Sequence, residues 1–259
     1  YTNRLKTVFK KGKSLLNVYF TAGYPQLHDT IRIAKGLESG GADILEIGLP
    51  FSDPIADGPT IQESSGVALD NGMTLKTLMT QLEGLREKVT VPVLLMGYLN
   101  PVLQFGFESF CERCREVGVD GLILPDLPMY EYQHIYGPIM EKYGLINIFL
   151  ITPQTSEERI REIDERSSGF IYVVSSYSTT GTKSGIDDSQ ISYFQKLKTM
   201  NLKREMMIGF GISNHESFKA VADHAAGAII GCAFIKKLRE DASDEAIDAF
   251  VKDIKFGSK

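Results

Sequence analysis

Eight short runs rich in aliphatic and β-branched residues recur along the chain: NVYFT (17–21), DILEIG (43–48), VPVLLM (91–96), GLILP (121–125), INIFLI (146–151), FIYVVS (170–175), EMMIGF (205–210) and GAIIG (227–231). Most show little alternation of apolar and polar residues, the pattern of strands covered on both faces in a parallel sheet. Helix-length amphipathic stretches separate them, such as LHDTIRIAKGLESGG and EYQHIYGPIMEKYG, and several end in glycine, a common helix stop. SNHESFKAVADH opens with a cap at Ser213 or Asn214 and carries Glu216 three or two residues later, as in a capping box.

Strands alternating with helices imply right-handed βαβ units and a parallel sheet. Eight such units in 259 residues, with no linker or low-complexity break, predict one closed (β/α)₈ barrel, a TIM barrel, with a short N-terminal extension and a single domain over 1–259. The alternative, a doubly wound sheet, lacks its dinucleotide fingerprint. GFGIS (209–213) has no third glycine in register, and TGTKSG (180–185) is not a Walker A loop.

A net charge of −5 gives no electrostatic reason to expect nucleic acid or an anionic membrane as partner. No apolar run approaches the roughly 18 residues of a membrane span, and the charged N-terminus has no signal-peptide core behind it, so the expected location is cytoplasmic. The opening Tyr1 in place of methionine leads to an expectation of residues before it. Cys111 and Cys114 have redox or zinc spacing, yet they sit in the helix-like FESFCERCREVG with no second Cys/His pair nearby. A structural zinc needs four ligands, so no metal site is predicted.

Barrel enzymes place their chemistry at the C-terminal ends of the strands, and many hold phosphate with the loops after the seventh and eighth strands. GFGIS and GCAFIKKL stand at those places, and Gly211 and Gly231 would let a phosphate approach backbone N–H groups at helix starts. Either glycine alone could simply make a tight turn; both together favour phosphate. The polar loop SSYSTTGTKSGI (175–186) reads either as a surface loop or as a lid that excludes water, with Gly181 as a further backbone donor.

The stretch LEIGLPFSDPIADGPTIQ (45–62) carries the candidate chemistry. Glu46, near the end of the second strand, would be desolvated if it points inward, which raises its pKa toward neutrality and suits proton transfer. Asp57 follows beyond a proline-rich turn, in a different environment that permits a different role. A loop or capping role is the plain alternative for Asp57, and more strongly for Asp53, which precedes Pro54.

LEIGLPFSDPIADGPTIQ closely resembles the signature of the alpha subunit of tryptophan synthase. YFTAGYP (19–25), LLMGYLNPV (94–102), PDLP (125–128), STTGTKSG (178–185), GFGIS and GAIIGCAFIK (227–236) resemble further family segments in the right order, so the resemblance spans essentially the whole chain. It implies cofactor-free retro-aldol cleavage of indole-3-glycerol phosphate to indole and glyceraldehyde 3-phosphate. By the same resemblance Glu46 is the acid/base, and Asp57 accepts the indole N–H and stays ionised. Tyr172 lies near the reacting end of the substrate, with Tyr98, Leu124 and Ile151 as neighbours of the indole ring unless they are plain core.

Gly181, Gly211 and Gly231 match the family's phosphate-binding glycines. Cys232 stands where many members have serine, which would turn a hydroxyl contact into a weak thiol contact. Tyr24 replaces an acidic residue found in some members. The family works as an α₂β₂ assembly in which pyridoxal phosphate belongs to the beta subunit, so this chain is expected to bind no cofactor of its own. The partner surface would include Asp53, Pro54, Asn100 and Pro101. Two rival readings remain: another phosphate-binding barrel enzyme, and a noncatalytic subunit that only activates its partner. The intact Glu46 and Asp57 weigh against the second.

Overall fold

The computed structural model describes residues 3–12, 14–54, 57–174, 187–209 and 211–257. Its strands are β1 (Leu15–Thr21), β2 (Ile44–Gly48), β3 (Val93–Met96), β4 (Gly121–Ile123), β5 (Ile146–Asn147), β6 (Phe149–Ile151), β7 (Ile171–Val174), β8 (Met206–Gly209) and β9 (Gly227–Ile230). All neighbouring strands are parallel, in the order β5-β4-β3-β2-β1-β9-β8-β7-β6. The run expected as one strand over 146–151 is therefore two segments. β5 pairs with β4, β6 pairs with β7, and Ile148 between them donates its N–H to Leu122 O at 2.9 Å. The two ends of the sheet are thus consecutive pieces of chain, and the eight staves curl into a barrel. Tilted staves meet their two neighbours at different heights, which is why one stave is bonded on one edge first and on the other edge later.

Two apolar layers follow from the strand period of two. Inward residues such as Leu15, Ile44, Leu94, Ile148 and Ile229 form a compact inner cluster. The intervening residues, among them Val18, Leu45, Val93 and Ile208, join the larger layer between strands and helices. The N-terminal extension plugs the bottom of the barrel. Leu5 and Val8 of the helix Leu5–Val8 belong to the inner cluster, and the Phe9 ring lies 5.9 Å from that of Phe170. Asp120, fully buried beneath β4, ties this end together. It accepts from Arg4 N at 3.1 Å, Arg86 Nη2 at 2.7 Å and Val93 N at 3.0 Å.

Two local expectations change. The stretch 131–144 is not one regular helix: a π-helical turn, Tyr132–Tyr136, precedes the helix Gly137–Lys142, and Gly137 N–H reaches back to Tyr132 O. Pro138 has no N–H and its ring crowds the preceding turn, and the wide turn absorbs both defects. The helix His215–Ala222 is capped by Asn214, and Ser217 rather than Glu216 completes its capping box. Cys111 and Cys114 are buried in the helix Phe107–Val117, where burial pushes the Cys111 thiol up to about 12 and Cys114 also well up. Among the described residues no group of three or more His, Cys, Asp or Glu side chains could hold a metal ion.

Candidate active site

Glu46 lies two residues beyond Ile44 on β2, so it points into the barrel, and it is 0% exposed. Its Oε1 accepts a short hydrogen bond from Asn17 Nδ2 on β1, and its Oε2 has no partner among the described residues. Burial pushes its pKa up to about 8, with the Asn17 hydrogen bond opposing the rise. The group is a carboxylic acid at neutral pH, one that can release its proton and regain it within a turnover.

Asp57 reaches the same mouth from the loop after β2. Its N–H donates to Pro54 O at 3.0 Å, and Gln62 Nε2 donates to Asp57 O at 2.8 Å, so its backbone is held on both sides. Tyr98 Oη donates to Asp57 Oδ2 at 3.1 Å, and the Tyr98 ring packs 5.1 Å from Phe51. Burial raises the Asp57 pKa, and the phenol donor opposes that rise by favouring the ionised form.

Two tyrosines complete the chamber. Tyr19 on β1 and Tyr172 on β7 both have phenol pKa values raised, first by burial, and both feel the charges of Glu46, Asp57 and Cys232. Glycines make room for them. A Cβ at Gly48 would lie 2.0 Å from Tyr19 Oη, and one at Gly209 would lie 2.6 Å from Tyr172 Cε1. The last inward positions of β2 and β8 are therefore empty of side chain because the tyrosine rings fill them. Tyr19 and Asn17 were not singled out from the sequence. The available signal was an asparagine and a tyrosine at alternate positions of a buried strand.

At the end expected to hold phosphate, Gly231 caps the helix Cys232–Glu240, and Cys232 is exposed at its first turn. Gly211, exposed, precedes the helix His215–Ala222. Among the described residues a Cβ at Gly211 would meet nothing within 4 Å, and one at Gly231 would make only an ordinary 3.5 Å contact with Tyr19. Gly231 has a φ of −130°, so no positive φ calls for glycine there. Gly181 and the rest of the loop 175–186 lie outside the described residues.

A family profile described as tryptophan synthase alpha chain matches residues 5–256. The chain belongs to that family. It is 55% identical over 253 residues to the tryptophan synthase alpha chain of Flavobacterium johnsoniae, covering 98% of this chain and 100% of the relative. The alpha chain of Bacteroides thetaiotaomicron is 48% identical, covering 97% and 98%. The fold is similar to the crystal structure of tryptophan synthase subunit alpha from Legionella pneumophila, with a TM-score of 0.89, 32% identity and coverage of 99% and 98%. Tryptophan synthase from M. tuberculosis in its aminoacrylate-bound form gives 0.86 at 27% identity, covering both chains fully at 100%.

Two expected ring neighbours fall on the other face. Leu124 and Ile151 are buried in the layer between strands and helices, whereas Met96, Leu150 and Tyr172 pack against the inner cluster. GLILP and INIFLI are apolar on both faces, so their sequence does not reveal which residues turn inward. The four expected partner residues lie on two adjoining elements. Asp53 is exposed and Pro54 half-buried in the loop after β2, while Asn100 and Pro101, exposed and half-buried, open the helix Leu99–Phe105. The Phe51 and Tyr98 rings join loop to helix, and Asp126, also missed, accepts from Leu99 N–H at 2.9 and 3.1 Å to cap it.

Proposed function

We propose that this chain cleaves indole-3-glycerol phosphate to indole and glyceraldehyde 3-phosphate as the alpha subunit of tryptophan synthase, with Glu46 and Asp57 dividing the work. One observation supports the division: two carboxylates share one barrel mouth in opposite settings, Glu46 sealed from water with an Oε2 that no described residue engages, Asp57 held by a phenol.

Breaking the C–C bond requires the ring to accept its electron pair. Glu46, protonated at rest, gives its proton to carbon three of the indole. Positive charge then develops at the ring nitrogen, and ionised Asp57 accepts the N–H and stabilises it. The Glu46 carboxylate takes the proton of the neighbouring glycerol hydroxyl, that O–H pair becomes the aldehyde C=O, and the electrons of the broken bond return to the ring. Glu46 ends protonated, as it began, so no cofactor enters the balance. Tyr172 and Tyr98 line the reacting end. Inner-cluster position favours Met96 and Leu150 over Leu124 and Ile151 as the apolar wall. Gly181, Gly211, Gly231 and Cys232 are assigned to the phosphate.

The partner is the beta subunit, which would hold pyridoxal phosphate in an α₂β₂ assembly, with the loop of Asp53 and Pro54 and the helix start of Asn100 and Pro101 as the contact surface. No described helix is long and apolar enough to cross a membrane, and a cytoplasmic location fits a biosynthetic enzyme. The test is indole release from indole-3-glycerol phosphate, with and without added beta subunit. Slow release that the partner accelerates is expected. No release under either condition would overturn the reading.

A further inference from the structure

Asn17 sits at an inward position of β1 and is 0% exposed. Its partners in register, Ile44 on β2 and Ile229 on β9, are aliphatic and belong to the inner cluster. The barrel at this height thus accepts apolar side chains, and packing alone does not call for an amide. Burying one leaves polar atoms to satisfy at a cost on the order of 1–3 kcal/mol. Asn17 Oδ1 indeed has no partner among the described residues. What the amide does reach is Glu46, donating Nδ2–H to Oε1 from one layer deeper in the barrel.

A donor fixed on one carboxyl oxygen decides where the acid proton sits. The engaged oxygen behaves as the carbonyl acceptor in both protonation states, so the proton is carried by the other one. Here that other oxygen is Oε2, which no described residue engages. We propose that Asn17 is a positioning residue for the acid/base glutamate: it holds Oε1 and so makes Oε2 the oxygen that gives and takes protons at the substrate. The inference rests on the role assigned to Glu46 above. A neutral amide suits the task because it anchors the carboxyl without adding a charge that would lock it in one state. Its hydrogen bond also works against the effect of burial, which keeps the carboxylate within reach. Among the described residues, the titratable groups that share the mouth with Glu46 include Tyr19 on β1, Tyr172 on β7, Asp57 from the loop after β2 and Cys232 after β9. β3 contributes the uncharged Leu94 and Met96.

The experiment compares Asn17→Leu and Asn17→Val with wild type in steady-state indole release across pH, with Glu46→Gln alongside. Loss of a hydrogen bond to a group that ionises should lower kcat about tenfold or more while KM changes less than about threefold. The alkaline limb of the pH profile should move to higher pH, because the opposition to burial is gone. Valine covers the case in which leucine overfills the layer. A kcat within about twofold of wild type with an unmoved limb would overturn the proposal, and so would failure of both variants to fold, which would assign the amide to the fold. Retained cleavage in Glu46→Gln would instead remove the role of Glu46 itself, a failure separate from that of Asn17.

Discussion

Replacing Glu46 by glutamine keeps the shape of the side chain and removes a carboxyl that burial holds protonated up to about pH 8. In the unfolded chain the same carboxyl has its ordinary value of 4.5. Below pH 4.5 both states hold the proton and the neutral form fits its site. As pH rises, the unfolded chain releases a proton that the folded chain keeps, so stability is lost progressively until the folded group also ionises near 8. At about 1.4 kcal/mol per unit, roughly 3 kcal/mol has gone by pH 7. Glutamine does not titrate, and its amide oxygen can still accept from Asn17. In urea unfolding, Glu46→Gln should therefore gain on wild type by about 2–3 kcal/mol between about pH 5 and about pH 7, while losing cleavage. A stability difference that stays constant over that range would refute the claim that the folded state holds this group protonated.

Tyr98→Phe removes the donor that favours ionised Asp57, so the Asp57 pKa should rise further and the acid limb of kcat/KM should move to higher pH. Cleavage should fall about tenfold, and an unmoved limb would separate Tyr98 from Asp57. Gly211→Ala should leave Tm unchanged, because the new Cβ meets nothing within 4 Å among the described residues. KM should rise severalfold if a phosphate approaches that backbone; an unchanged KM would remove Gly211 from the phosphate site. Asp120→Ala removes the carboxylate that Arg4 and Arg86 share and the acceptor of two backbone N–H groups at the barrel floor, and should cost about 3–5 kcal/mol in urea unfolding. A loss below about 1 kcal/mol would show that Asp120 does not hold this end of the barrel together.

The barrel is legible because its strands are short apolar runs separated by amphipathic helices, and a closed parallel sheet needs that pattern. The same property hides which residues face inward. In NVYFT, GLILP and INIFLI both faces are buried, so no polar residue marks the outer side. Asn17 and Tyr19 were passed over for that reason, and the same pattern gave no check on Leu124 and Ile151, which the resemblance offered as ring neighbours and which pack in the outer layer. Glu46 was legible because a carboxylate in such a run has no structural excuse. Asp57 was legible by its resemblance to a known signature, whereas its anchor, Tyr98, acts through a phenol oxygen that ring-packing arguments do not reveal. The split of the fifth stave at Ile148 depends on barrel tilt, a property of the whole sheet that six residues cannot encode.

The most direct test of the division of labour is the pH profile of kcat/KM for indole release by wild type above neutrality. kcat/KM reports the free enzyme, and the account has Glu46 enter the reaction protonated. The rate should hold steady near pH 7 and fall as pH rises through about 8. A rate that instead climbs through that range would mean the carboxylate begins the reaction, and would contradict the account.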